Sequence, residues 1–380
     1  MPAHVAAIDL TAPDLTAPGL AQSRSDPAVD GPEPLDFPRP VATRTVDDRA
    51  ALVGSLAAAF ALVGVWFGVV LPWSGKVGFV LCWFAVFLAI YAAVSALSNP
   101  APVVVERLMA AVITGGALVV GLCLASAVVF TFARGVQALL HLNFYTSDMA
   151  GVRPLDPLVR GGVAHAMVGS LIEISIAIAV TLPLGLGTAV FMSEVGGRLA
   201  QVVRTIVEAM TALPSIVAGL FIYAVLLVAL HIPPTGFTAA MAISVMMLPI
   251  IARAADVTLR IVPGGLREAS LALGASQWQT VWRVVLPTAR PGLATALILG
   301  VARGIGETSP VLLTSGASTF FNVNALDQPM NSLPLFIFAA VRSGQPTFIA
   351  RGFGAAAVLL VLVLVLFVIT RVLARHRAGR

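Results

Sequence analysis

The sequence predicts an all-α integral membrane protein. Three observations carry that expectation. Only 11% of its 380 residues are charged, against about 25% in a soluble globular domain. Hydrophobic residues make up 58% of the chain, and the mean hydropathy is +0.96. The apolar residues also gather in runs near or above the ~20 residues that a helix needs to cross ~30 Å of hydrocarbon.

Residues 1–50 precede the first run. They hold eight prolines, eight acidic residues and four arginines, a net charge of 4 − 8 = −4. Such a segment buries too little apolar surface to offset chain entropy and is expected to be a disordered tail. No apolar stretch follows a basic start, so no secretory signal is expected. Eight spans follow, at 51–71, 77–97, 108–132, 163–192, 209–230, 237–256, 291–313 and 353–373. Pro183 predicts a kink or an end in the fourth. A further apolar stretch at 333–341 is too short to cross and reads as interfacial or re-entrant. The domain reading is a tail at 1–50, two helices in 51–100, a membrane domain at 101–375 and a short tail at 376–380.

Composition excludes several functions. Lys76 is the sole lysine, and Val77 follows it. A P-loop requires Lys before Ser or Thr, so this chain has no Walker motif. Cys82 and Cys123 lie in separate apolar runs and read as small core residues. The five histidines are scattered and form neither HxxxH nor HExxH. No metal cluster, catalytic pair, bound cofactor or nucleic-acid partner is expected.

Arginine placement predicts orientation. With the N-terminus inside, 16 basic residues fall on the cytoplasmic side and six opposite, with Arg303 inside a span. Cytoplasmic segments carry the basic excess. Both termini and the 257–290 loop are therefore expected in the cytoplasm.

That loop has its own pattern. Leu266, Ala269 and Leu273 recur at helical spacing, as do Trp278, Val281, Trp282 and Val285. Gly274 lies between the two stripes, where a helix end favours a residue free to take positive φ. The expected form is a short helix, a tight turn and a second amphipathic helix closed by Pro287. From pattern alone, an interfacial helix with Trp278 and Trp282 at headgroup level fits better, and the spacing of the residues named below reverses that preference.

Span seven carries two charges. Arg303 and Glu307 are four apart, on one helix face. Arg303 lies about 18 Å beyond Pro291, near mid-membrane. Each charge there costs roughly 2.5–3.5 kcal/mol or more, so both must face the bundle interior or a water-filled path. A guanidinium suits an oxyanion, since it stays charged and makes two parallel hydrogen bonds. A self-neutralising structural pair is the alternative. Glu173, in span four, is expected either to pair with a basic group on another helix or to carry a proton. Arg253 reads as a boundary residue at the end of span six.

Four stretches carry a family resemblance. Glu268, Ala269, Ser270, Gly274, Val284, Leu286 and Pro287 fall at the spacing of the EAA loop of ABC importer permeases. LPLGLGTAVFMSE at 182–194, LPSIVAGLFIYA at 213–224 and ARGIGETSPVLLTSG at 302–316 resemble the A-type permease of the bacterial phosphate-specific importer. The resemblance covers 160–373 and implies a type I ABC importer permease fold, with a six-helix core inside 101–375. The two extra N-terminal transmembrane helices and the tail precede that core. It further implies a C-type permease partner, a cytoplasmic ATPase dimer that uses ATP and Mg, and an external phosphate-binding protein. Phosphate is the implied cargo and the bacterial cytoplasmic membrane the location. Arg303, Glu307, Thr308, Arg253 and Glu173 are the implied pathway residues. Ala275 and Trp278 join the loop residues as ATPase contacts. Sulfate or molybdate is the alternative cargo. A secondary transporter is the alternative class, disfavoured by the loop and by the lack of an inverted repeat.

Overall fold

The computed structural model describes residues 46–70 and 75–376. It divides into two compact units, Met1–Gly116 and Ala117–Arg380. Residues 1–45, most of the expected tail, lie outside the described residues, as do 377–380.

In the first unit, α1 (Val46–Val65) starts inside the stretch expected to be a tail. Arg107 neutralises Asp48 there in an ion pair. A π-helical turn, Trp66–Val70, follows α1, and α2 spans Lys76–Ser98. Ala59, Phe87 and Tyr91 form their shared core, with Phe87 and Tyr91 stacked at 5.6 Å. Trp83 donates its indole N–H to the Leu56 carbonyl at 3.2 Å. Cys82 is half-buried, as a small packing residue would be.

α3 (Ala101–Leu139) runs through the boundary between units. At 39 residues it is far longer than the expected 108–132. Cys123 lies exposed on it rather than in a core. A short α4 (Asn143–Thr146) and a loop lead to α5 (Ala164–Val190), which continues as a π-helical turn, Phe191–Val195. Pro183 lies inside α5 and does not end it.

The fifth span is corrected. α6 (Gly197–Thr211) and α7 (Ser215–Ile222, continued by π-helical Tyr223–Ala229) meet at 105° instead of forming one rod over 209–230. Pro214 disfavours helical backbone at the residue before it, so α6 ends and the chain turns. α8 (Gly236–Ile261) starts on a capping box between Thr235 and Thr238. It passes well beyond the expected end at 256, so Arg253 lies within the helix. α9 (Gly264–Ala272) follows. Then α10 (Gln277–Thr280), a π-helical turn (Val281–Val285) and α11 (Leu286–Gly304) make one unbroken helical run. Pro287 therefore does not close the loop's second helix. It lies inside the run, two residues after the π-helical turn ends at Val285.

Span seven is corrected too. α11 ends at Gly304, and α12 (Ser309–Thr314) restarts after four non-helical residues. The short apolar stretch forms α13 (Leu333–Arg342), and α14 (Pro346–His376) completes the chain.

α8 is the hub of the second unit. Of its apolar window 61% is buried, against 28% for α5 and for 277–304. Ile243, Met247 and Ile251 of α8 meet Ile174 and Ala177 of α5, together with Ile305, Val311 and Leu335. Gly135 of α3 lies against the backbone of Phe353 and Gly354 in α14. Arg351, expected on a loop, is a fully buried residue of α14. It donates to the carbonyls of Asp156, Pro157 and Arg160 at 3.2, 2.9 and 2.8 Å, which pins the loop before α5.

α5 also approaches the strand-like segment before α13. Ser170 Oγ accepts a 2.7 Å hydrogen bond from Leu333 N, and a Cβ at Gly169 would lie 2.0 Å from the Asn331 carbonyl oxygen. Gly169→Ala is expected to lower the thermal midpoint of the detergent-purified protein, by an overpacking cost of about 1–3 kcal/mol. Gly187→Ala, where a Cβ meets nothing within 4 Å, should be neutral or stabilising, since Ala is the better helix former.

Candidate functional site

α8 positions α11 through two glycines. A Cβ at Gly300 would meet Ile251 Cγ1 at 2.5 Å, and one at Gly304 would meet Met247 Sδ at 2.5 Å. The bare face of α11 therefore rests on α8, and Arg303 projects from the last turn. The chain then folds tightly: Gly306 N donates to Arg303 O and Glu307 N to Gly304 O, each at 3.2 Å. Pro310 in the first turn of α12 cannot donate backward, which keeps this break from closing into a helix.

Arg303 and Glu307 do pair, although no continuous helix face joins them. Arg303 Nε lies 3.5 Å from Glu307 Oε1. At that length the contact is a charge pair rather than a full hydrogen bond. The Arg303 side chain is 56% exposed and that of Glu307 13%. Both terminal nitrogens of the guanidinium stay open, the fork that a planar oxyanion edge would fill.

Glu173 reaches the same place from α5. It is 1% exposed, and neither carboxylate oxygen has a hydrogen-bond partner. The expectation that it pairs with a basic group on another helix is not met. Glu173 and Glu307 instead line one small pocket with Ser170, Ile243, Gly304, Ile305 and Ser332. The two serines were missed from the sequence. Ser170 was within reach, because it sits one helical turn before Glu173 on the same face. Thr308 is half-buried beside Glu307. Arg253 is exposed and lies ten residues along α8 from Ile243, about 15 Å away, so the structure does not bring it to the pocket.

The 257–290 loop is a helical hairpin. Gly274 takes φ +85° at the turn. Ser276 then caps α10, accepting from Gln279 N at 3.3 Å while its own N–H donates to Gln279 Oε1 at 3.0 Å. Ser270 and Thr280 close the hairpin through a 2.9 Å hydroxyl contact. So the Ser that stands where the family pattern has Ala carries a bond of its own. Val281, Val285, Leu286 and Ala289 pack inward on Ala189, Ala255, Leu259 and Val262. The expected stripes split accordingly. Trp278 and Trp282 point outward, 65% and 54% exposed, with rings edge-to-face at 5.6 Å. Glu268, Ala269 and Gly274 are exposed, while Ala275, Val284 and Pro287 are half-buried.

Two ionic clasps hold this end of the bundle. Arg267 bonds Glu194 at 2.9 Å and also donates to the carbonyls of Val262 and Leu259 at 2.9 and 2.8 Å. Gln277 donates to the Glu194 carbonyl at 2.8 Å. Beside them, Asp256 binds Arg204 at 3.3 Å and Arg260 at 3.2 Å, which ties α6 to α8. Of these contacts only the Asp256–Arg260 spacing of four was visible in sequence. The Arg204–Asp256 and Arg267–Glu194 pairs join residues 52 and 73 positions apart.

Residues 181–379 match the family described as binding-protein-dependent transport system inner membrane component. Among similar proteins, the phosphate transport system permease protein PstA 1 of Mycobacterium tuberculosis (strain ATCC 25618 / H37Rv) is 38% identical over 232 residues, covering 61% of this chain and 75% of that protein. PstA of Mycobacterium leprae (strain TN) is 39% identical, covering 61% of this chain and 76% of that protein. PstA of Haemophilus influenzae is 30% identical over 264 residues, covering 68% of this chain and 90% of that protein. The matched region spans more than half of the chain, which belongs to the family of binding-protein-dependent transport system inner membrane components.

Proposed function

We propose that this chain is a permease subunit of an ATP-driven phosphate importer. It forms half of the translocation pathway beside a C-type permease, in the bacterial cytoplasmic membrane, with both termini in the cytoplasm. The observation that carries the reading is continuity. Exposed Trp278 and Arg303 lie on the single helical run Gln277–Gly304, roughly 35–40 Å apart along its axis. A movement imposed on the hairpin is delivered to the guanidinium as the displacement of a rod. Phosphate is assigned because the relatives named above are phosphate permeases and because the open fork of Arg303 suits a tetrahedral oxyanion.

The division of labour follows. An external phosphate-binding protein delivers the anion, and an ATPase dimer that holds ATP and Mg engages Trp278, Gly274 and Glu268. This chain supplies the path and no cofactor site. Glu307 keeps Arg303 partly engaged at 3.5 Å, so the fork attracts an anion without retaining it. The Arg267–Glu194 clasp makes the hairpin move together with the end of α5 as well as with α11.

Arg303→Gln removes charge-assisted bonds worth about 1.5–3 kcal/mol, so phosphate uptake by the assembled complex is expected to fall tenfold or more in radiotracer assays. Arg303→Lys keeps the charge, loses the fork and should recover part of that loss. Sulfate or molybdate stimulating ATP hydrolysis better than phosphate would overturn the cargo assignment. Glu194→Ala frees Arg267 and is expected to raise the ATP hydrolysed per phosphate imported. Glu194→Gln, whose amide oxygen can still accept from Arg267, should raise that ratio less. Trp278→Ala with Trp282→Ala should abolish copurification of the ATPase while the subunit still folds.

A further inference from the structure

The pocket beside Arg303 is lined by two carboxylates, and Arg303 reaches only one of them. Glu307 has Arg303 at 3.5 Å, whereas Glu173 is 1% exposed with both oxygens unpartnered. Ser332 Oγ is also buried without a partner. The other elements packed on the pocket bring no compensating charge. α8 faces it with Ile243 and carries Arg253, Asp256 and Arg260 ten or more residues further on. The segment before α13 offers Ser332 and Asn331, and His165 lies eight residues back along α5. An ionised carboxylate in this setting has no counter-charge to offset its desolvation.

We propose that Glu173 is a proton-binding site in the pocket it shares with Glu307, and that its proton lets an oxyanion pass Arg303. The inference rests on the reading that Arg303 lies on the anion path. Charge counting gives the reason. With Arg303 positive, Glu307 negative and Glu173 neutral, the site sums to zero. With both carboxylates ionised it sums to −1 and repels the cargo. When an anion occupies the fork of Arg303, Glu307 shares the guanidinium with it from the Nε side, and a neutral Glu173 adds no second negative charge to the pocket that Ser170 and Ser332 also line. A proton fits better than a metal cation, because a second cation would lie against the Arg303 guanidinium.

The test uses the complete complex with its ATPase, partner permease and binding protein in sodium-free proteoliposomes. Uptake by wild type is divided by uptake of Glu173→Gln, a fixed neutral isostere, from pH 6 to 9.5; the ratio cancels titration of phosphate itself. The ratio is expected to hold one constant value at acidic pH and to fall toward tenfold for each pH unit once the proton is lost. In parallel, the infrared carbonyl band of a protonated carboxylic acid should appear in the wild type and vanish in Glu173→Gln. A constant ratio, no such band, uptake that requires sodium, or a Glu173→Gln complex that assembles but is inactive at every pH overturns the proposal. The infrared band does not depend on transport. A wild type that imports no phosphate but shows the band would count against the functional reading and leave the proton site standing.

Discussion

The membrane core depends on one contact: two glycines of α11 against α8. At Gly300 and Gly304 there is no room for a methyl group beside Ile251 and Met247. Between apolar helices in lipid, solvent exclusion contributes little, and close backbone approach and dispersion carry association. The seam fixes the roll of α11 about its axis, and the roll decides where Arg303 points. It also leaves the last turn of α11 next to the chain break at 305–308, so Glu307 folds back to Arg303 and toward Glu173 on α5. A side chain at either glycine would separate the helices and scatter the three ionisable groups Arg303, Glu307 and Glu173.

The other end of the same rod is held differently. There the contacts are charged and partly exposed: Arg267 with Glu194, and Asp256 with Arg204 and Arg260. Ion pairs of this exposure contribute modestly to stability. Their geometry matters more: Arg267–Glu194 links the hairpin to the end of α5, and Asp256–Arg204 links α8 to α6. The apolar packing of Val281, Val285 and Leu286 under the hairpin adds a greasy seat. The hairpin is thus bound to the bundle on one face and offers Trp278 and Trp282 on the other. An adaptor between a soluble motor and a membrane path needs that asymmetry.

Much of this was legible in the sequence because a bilayer writes its demands as composition. The long apolar runs became helices, Gly274 took the positive φ its position suggested, and the Arg303–Glu307 pair formed. What hydropathy could not give was where a run breaks. The bend at 212–214 interrupts apolar sequence with little loss of hydrophobicity, and the break at 305–308 falls inside a run long enough to read as one span. Pro214 and Pro310 were the available signals, since each removes an N–H and restricts the residue before it. The burial of Arg351 was beyond reach. Three carbonyls from a loop more than 190 residues earlier receive its guanidinium, and no local pattern announces such a contact. Glu173 shows the same limit, for its sequence position could not say whether another helix brings it a partner.

The central claim is that the break beside Arg303 lines a water path governed by the hairpin. Thr308, half-buried next to Glu307, reports on it directly. With Cys82 and Cys123 replaced by serine, Thr308→Cys in the reconstituted complex can be labelled with a membrane-impermeant charged thiol reagent from either side. The account predicts that the accessible side changes when the ATPase is trapped with nucleotide, and that phosphate slows the reaction. Labelling that ignores nucleotide and phosphate, or a thiol that no aqueous reagent reaches in any state, would contradict it.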